Sequence, residues 1–296
     1  MRLGLVGLGR MGGPMAWRLL DVGHDVIGCD VAPSAADRAR RAGVDAVGAL
    51  PALIRALEIP RVIWLMLPAG AITAQVLDQL AELLSPGDLV VDGGNSDWRH
   101  AGPRSERLAA GGIRFLDVGV SGGQWGWRHG YGLSVGGALA DFERLRPVLE
   151  ALAAPDAVAP VGPVGAGHFV KAVHNGVEYA LLQAYAEGYA LLCAHQDLDA
   201  LAAMRVWQAG CVARSFVLEQ TVAALADDPA LAGVGTAVAE TGMGRWTAEE
   251  AIRLAVATPV LTAALQARFA SRDDTRPANR LLVAARARIG GHSGHA

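Results

Sequence analysis

Apolar residues in the first half of the chain come in short, nearly continuous runs: Arg2 to Val6, Asp25 to Cys29, Arg61 to Leu67, Asp88 to Val91 and Ile113 to Val118. Runs of this length without polar alternation predict strands buried on both faces. The stretches between them have helical spacing, from the loop after Val6 through Leu20, near Pro51 to Leu57, after Gly70 to Leu84, and from about His100 to Ala110. Strand after helix after strand predicts a parallel doubly wound sheet, an α/β fold of the Rossmann kind. A further strand over Gly130 to Val135 and a helix over Ala140 to Leu152 are expected before Pro155 to Pro163, where the pattern changes. Beyond it only helical spacing remains, with one long central helix over Gly165 to Ala194 and others over Leu198 to Leu225, Thr247 to Ala255 and Pro259 to Phe269. The expected domains are therefore 1–162, α/β, and 163–296, all-α, the latter closing on a polar, arginine-rich tail from Ser271 to Ala296.

The chain has 296 residues, enough for two ordinary domains, and 52% hydrophobic residues can fill their cores. A net charge of −3 with scattered arginines offers no footprint for nucleic acid or for an anionic membrane, so neither is expected as a partner. Cys29, Cys193 and Cys211 have no metal-ligand spacing and read as buried thiols in a reducing compartment. No metal site is expected. The start of the chain lacks a secretory pattern and no segment is apolar for long enough to span a bilayer, which makes cytoplasmic the expected location.

Gly7-Leu8-Gly9-Arg10-Met11-Gly12 stands between the first strand and the first helix, the context a dinucleotide loop requires. Gly7 permits the tight turn, Gly9 lets the backbone approach a pyrophosphate at the helix N-terminus, and Gly12 lets the helix pack closely. Asp30, ending the second strand, is placed to accept from ribose hydroxyls and to repel a 2′-phosphate, favouring NAD over NADP; Arg38, Arg40 or Arg41 are the residues that could still admit the phosphate. Ligands of such sheets bind beyond the carboxyl ends of the strands. Leu67-Pro68-Ala69, Asn95 and the loop Gly119-Val120-Ser121-Gly122-Gly123 follow strands at that end and are expected to meet cofactor or substrate.

Lys171 is the only lysine in the chain. Arginine stays protonated at any working pH, whereas a desolvated lysine can lose its proton and act as a base. A helix turns about 100° per residue, so Lys171, His174, Asn175 and Glu178 share one stripe, with an amine, an imidazole, an amide and a carboxylate in two turns. Val170, Val173, Val177, Tyr179, Ala180, Leu181 and Leu182 around them predict a largely buried helix.

Together these motifs resemble the decarboxylating 6-phosphogluconate dehydrogenases, specifically the shorter members of that family. The resemblance rests on Val6 to Gly12, Asp92-Gly93-Gly94-Asn95-Ser96, Ser121-Gly122-Gly123, Lys171 to Tyr179, Gly242-Met243-Gly244-Arg245-Trp246-Thr247 and Arg286 to His292, in family order. It implies that Lys171 is the base and Glu178 the acid of an oxidative decarboxylation, with NAD, or NADP, as hydride acceptor. It further implies that Asn95, Ser121, Gly122, Gly123, His174 and Asn175 orient the sugar acid and that Tyr179, Arg214 and Arg245 hold its phosphate. Arg245 replaces the lysine of longer members, and Asp30-Val31-Ala32 replaces their NADP-reading Asn-Arg-Thr. Arg286 and His292 would complete the pocket of a neighbouring subunit, which implies a homodimer or homotetramer.

Two other readings stand beside this one. A 3-hydroxyacid dehydrogenase of the hydroxyisobutyrate or tartronate-semialdehyde type shares the fold, the Ser-Gly-Gly loop and the base lysine, but needs neither phosphate clamp nor reprotonating acid. A non-catalytic NAD-binding module would have little reason to keep an amine in an arginine-biased chain.

Overall fold

The computed structural model describes residues 1–273 and 275–290, with the backbone alone for Gln124 and 286–290. They form two compact units, Met1–His174 and a second that begins at Asn175. The first unit runs β1 (Arg2–Val6), α1 (Gly12–Asp21), β2 (Asp25–Cys29), α2 (Pro33–Arg41), β3 (Asp45–Val47), α3 (Leu50–Arg55), β4 (Val62–Leu65), α4 (Ala71–Leu83), β5 (Leu89–Asp92), α5 (Ala101–Ala109), β6 (Arg114–Ser121), α6 (Gly126–His129), β7 (Tyr131–Gly137), α7 (Leu139–Leu152) and β8 (Ala153–Gly162). Helix α8 (Ala166–Ala194) starts in this unit and continues into the second, where α9 (Ala200–Gly210), α10 (Phe216–Asp227), α11 (Met243–Arg253), α12 (Pro259–Ala270) and α13 (Pro277–Gly290) follow.

The strands form one sheet in the order β3-β2-β1-β4-β5-β6-β7-β8. Leu3, Leu5, Ile63, Trp64, Leu65, Leu89, Val90 and Val91 are fully buried, as apolar runs in a sheet covered on both faces must be. One core joins α1, α2 and α7 to a face of the sheet, and a second joins α3, α4 and α5 to the other.

The sheet is parallel except at one pair. β7 runs antiparallel to β6, with Ser121 opposite Gly132. The connection between them is too short for the parallel crossover of about a dozen or more residues that a parallel pair needs. The same pairing extends β6, so Gly119, Val120 and Ser121, expected in a loop, are strand residues. Pro155 to Pro163, expected to connect the domains, instead supplies most of β8. Its prolines are tolerated because β8 is an edge strand. β3 was not anticipated either; at three residues it is too short to show a pattern.

In the second unit the helical spacing over Leu198 to Leu225 is divided between α9 and α10, with a break at Cys211–Ser215. Asp199 caps α9 through Ala202 N–H at 2.9 Å, and Ser215 caps α10 through Leu218 N–H at 3.1 Å. The polar tail contains α13, which begins on Pro277, a residue suited to a first helical turn. α8 is less buried than its composition predicts, since Val170, Val177, Leu181 and Leu182 are each more than a third exposed. Among the cysteines only Cys29 is buried, and Cys193 is exposed. Burial, aided by the charge of Asp30, pushes the Cys29 thiol up to about 11. No helix among the described residues is long and apolar enough to cross a membrane.

Candidate active site

The glycine loop has the geometry its spacing predicts. Gly7 has φ +93°, and a Cβ there would sit 2.4 Å from the Met66 carbonyl oxygen. A Cβ on Gly12 would collide with the carbonyl of Gly7, whereas at Gly9 nothing lies within 4 Å. The loop is thus locked at both ends and open at its middle, which leaves the backbone free to receive a pyrophosphate. Asp30 is part of the loop's support: Leu8 N–H donates to its Oδ2 at 2.7 Å and Ala32 N–H to its Oδ1 at 2.8 Å. Each carboxylate oxygen retains a second lone pair for a ribose hydroxyl.

One cavity of about 460 Å³ gathers the expected groups of the first unit. Gly9, Arg10 and Met11 line it with Leu67, Pro68 and Ala69, with Asn95, with Gly123 and with Lys171. Residues expected to bind cofactor and residues expected to bind substrate, separated by up to nearly the whole length of the unit, thus line one space. Met66, Gly93, Gly94 and Val120 complete the wall. Lys171 is 8% exposed, and its Nζ donates to Ser121 Oγ at 3.1 Å. The Asn95 loop is shaped from below by Asp92, whose Oδ1 accepts from Gly94 N–H at 3.1 Å and whose Oδ2 accepts from Ser96 Oγ at 2.9 Å. Arg104 pairs with the same carboxylate at 3.1 Å, so the buried charge is balanced. Gly122, with φ +127°, turns the chain from β6 into the short 3-10 turn Gly123–Trp125.

The remaining expected residues belong to the end of the first unit and to the second. His174 is exposed and Asn175 is 9% exposed. Glu178 lines a second cavity of about 460 Å³, between α8 and α10, with Phe216, Gln220 and Thr221. Tyr179 is buried, and its hydroxyl accepts from Thr241 N–H at 3.3 Å. Gly244 lies flat on its ring, where a Cβ would approach to 2.5 Å. Arg245 is committed to Glu240, Nη2 to Oε1 at 2.6 Å, and Glu240 also takes Gly242 N–H at 2.9 Å. Although burial opposes it, these partners hold the Glu240 carboxyl below its usual range. Arg214 lies exposed in the turn between α9 and α10, rather than on a helix. Arg286 falls in α13, of which only the backbone is described at that point, and His292 lies outside the described residues.

Arg268 was not found by sequence reasoning. Its guanidinium covers the Tyr179 ring at 3.5 Å from the centroid, and its Nη1 donates to Ala239 O at 2.8 Å. The contact joins residues on different helices, and no local pattern announces it.

The family model for the NAD-binding domain of 6-phosphogluconate dehydrogenase matches residues 2–165, and that for the C-terminal domain of the same enzyme matches 167–289. The chain belongs to the 6-phosphogluconate dehydrogenase family. It is 40% identical over 99% of its length to the NAD(+)-dependent, decarboxylating 6-phosphogluconate dehydrogenase of Haloferax volcanii, of which it covers 98%. Among solved structures it resembles the 6-phosphogluconate dehydrogenase of Plasmodium falciparum, with a TM-score of 0.84 and 25% identity over 98% of this chain. It spans 65% of the length of that longer member. It is also similar to the 3-hydroxyisobutyrate dehydrogenase of Mycobacterium tuberculosis, with a TM-score of 0.73 and 26% identity, over 92% of this chain and 94% of that one.

Proposed function

We infer that the protein oxidatively decarboxylates 6-phosphogluconate to ribulose 5-phosphate, with NAD preferred over NADP. The observation that carries this reading is the cavity in which Lys171 and Asn95 face the glycine loop. A homologue that matches nearly end to end bears the name of an NAD(+)-dependent, decarboxylating enzyme, which supports both the reaction and the cofactor.

Bound NAD supplies the hydride acceptor. Lys171, buried and next to the Ser121 hydroxyl, takes the proton of the C3 hydroxyl as that carbon is oxidised. The ammonium so formed then stays beside the new ketone oxygen and stabilises the charge that develops as the carboxylate leaves as carbon dioxide. Glu178, two turns along α8, returns a proton to the carbon that lost the carboxylate. Asn95, Ser121, Gly122, Gly123, His174 and Asn175 orient the sugar acid. Tyr179 offers the phosphate a hydroxyl, with Arg268 on its ring as the adjacent cation, and Arg214 and Arg245 are the other candidates. The test is a spectrophotometric assay of NADH formation. Turnover with 6-phosphogluconate and not with 3-hydroxyisobutyrate is expected, and the opposite preference would assign the chain to the hydroxyisobutyrate type.

Asp30 sets the cofactor preference in this reading. Asp30→Asn should narrow the gap in kcat/KM between NAD and NADP. Because the carboxylate also anchors Leu8 N–H, affinity for NAD itself should fall as well. A parent enzyme already preferring NADP would overturn the role given to Asp30.

The protein is proposed to act as a homodimer or homotetramer in which Arg286 and His292 complete the neighbour's phosphate pocket. The apolar side chains left exposed on the second unit, Val177, Leu181, Leu182 and Phe216, support association. Lys171→Ala and Arg286→Ala, each inactive alone, should recover a fraction of parental activity when mixed and reassembled, because some hybrid sites receive both intact residues. Proven subunit exchange without recovery would rule out the shared site.

A further inference from the structure

Three buried polar side chains that the reaction does not use tie the start of α8 to the sheet. Asp92, Asp117 and His168 are each at most 1% exposed. Asp117, on β6, caps α8: its Oδ1 accepts Gly165 N–H at 2.6 Å and its Oδ2 accepts His168 N–H at 2.8 Å. His168 Nε2 lies 3.0 Å from the carbonyl oxygen of Asp92. A carbonyl only accepts, so Nε2 is the donor of this bond. The other ring nitrogen, Nδ1, has no hydrogen-bond partner and stands 3.9 Å from Asp117 Oδ2.

Burying a ring nitrogen that makes no hydrogen bond is unfavourable, and an apolar ring of the same shape would avoid it. The bond to Asp92 is what the imidazole adds. Asp92 is also the residue whose carboxylate shapes the Asn95 loop. Residues 165–167 are Gly-Ala-Gly, so His168 is the first side chain of the helix able to make a polar contact. Lys171 follows one turn later.

We propose that His168 is a positioning residue for the base. Its bond to the Asp92 carbonyl fixes the first turns of α8 in register with the Asn95 loop and so holds Lys171 Nζ at the cavity wall. This rests on Lys171 being the base.

The test compares His168→Phe, which keeps a planar ring without a donor, with His168→Gln, which keeps an N–H at similar reach, in the full-length protein. His168→Phe should retain the parental NAD affinity and KM while kcat falls by about 10- to 100-fold, the scale of a misplaced reacting group. His168→Gln should restore most of it. A readout independent of turnover comes from Lys171 being the only lysine: reductive methylation with carbon-13 gives one side-chain resonance, apart from that of the N-terminal amine. The midpoint of its pH titration should move in His168→Phe and return in His168→Gln. An unchanged midpoint and unchanged kcat in His168→Phe, a His168→Gln no better than His168→Phe, or failure of both variants to fold would each overturn the proposal. A parent inactive on 6-phosphogluconate would instead refute the proposed function, with the titration still deciding whether His168 positions the amine.

Discussion

Replacing Lys171 with arginine is expected to leave NAD affinity near parental and to lower kcat by about 10²–10⁴-fold, the usual contribution of a general base. The positive charge is kept, so attraction for an anionic substrate survives. What is lost is the neutral state, since a guanidinium does not give up its proton at any working pH. The bulkier head also has to replace an amino group that reaches Ser121 Oγ at 3.1 Å from an 8% exposed position, which adds a steric term to the chemical one. Binding of NAD and 6-phosphogluconate, measured by calorimetry beside steady-state turnover, separates the two effects. A Lys171→Arg enzyme with near-parental kcat would sink the assignment of the base. Glu178→Gln should behave differently, because the oxidation can still occur while return of the proton is impaired. Its product mixture should therefore carry the defect more than its rate of NADH release in a first turnover.

What could be read from the sequence was mostly local. The glycine loop, β1 and β2 are set by neighbouring residues alone, through uninterrupted apolar runs and backbone positions that exclude a Cβ, and they stand where the pattern placed them. β6 ran past its expected end because its last residues are strand only by virtue of β7, a partner the glycine-rich sequence does not announce. β8 was hidden by prolines that matter less at a sheet edge. The site divides in the same way. Lys171, Asn95 and Gly123 were legible as motifs and share a cavity. The contacts that support them, His168 with Asp92 and Arg268 with Tyr179, join residues far apart in sequence, where spacing carries no information. Arg245 was legible as a cation, but its pairing with Glu240 depends on how the loop folds back.

A close approach of helix to sheet yields the other large expected effect. Gly119 of β6 faces α8 so tightly that a Cβ there would lie 2.5 Å from the carbonyl oxygen of Gly167 and 2.6 Å from Lys171 Cβ. Gly167 meets the sheet with equal closeness, its own absent Cβ falling 2.4 Å from the carbonyl of Asp117 and 2.5 Å from that of Ser134. Most of these neighbours are backbone, so no rotamer change relieves an added methyl group, and α8 itself must move. Gly119→Ala should therefore cost about 1–3 kcal/mol, as overpacking usually does, and lower Tm by several degrees. It should reduce kcat as well, by up to about 10²-fold, because the displaced backbone carries the reacting amine. NAD affinity should hold, since the glycine loop and Asp30 are anchored elsewhere. Gly132→Ala is the matched control: it stands opposite Ser121 on β7, and its Cβ would meet nothing nearer than Ser121 Cβ at an ordinary 3.6 Å. A Gly119→Ala enzyme as stable and as fast as Gly132→Ala would mean that α8 can shift freely over the sheet, and that the position of Lys171 is not set by this contact.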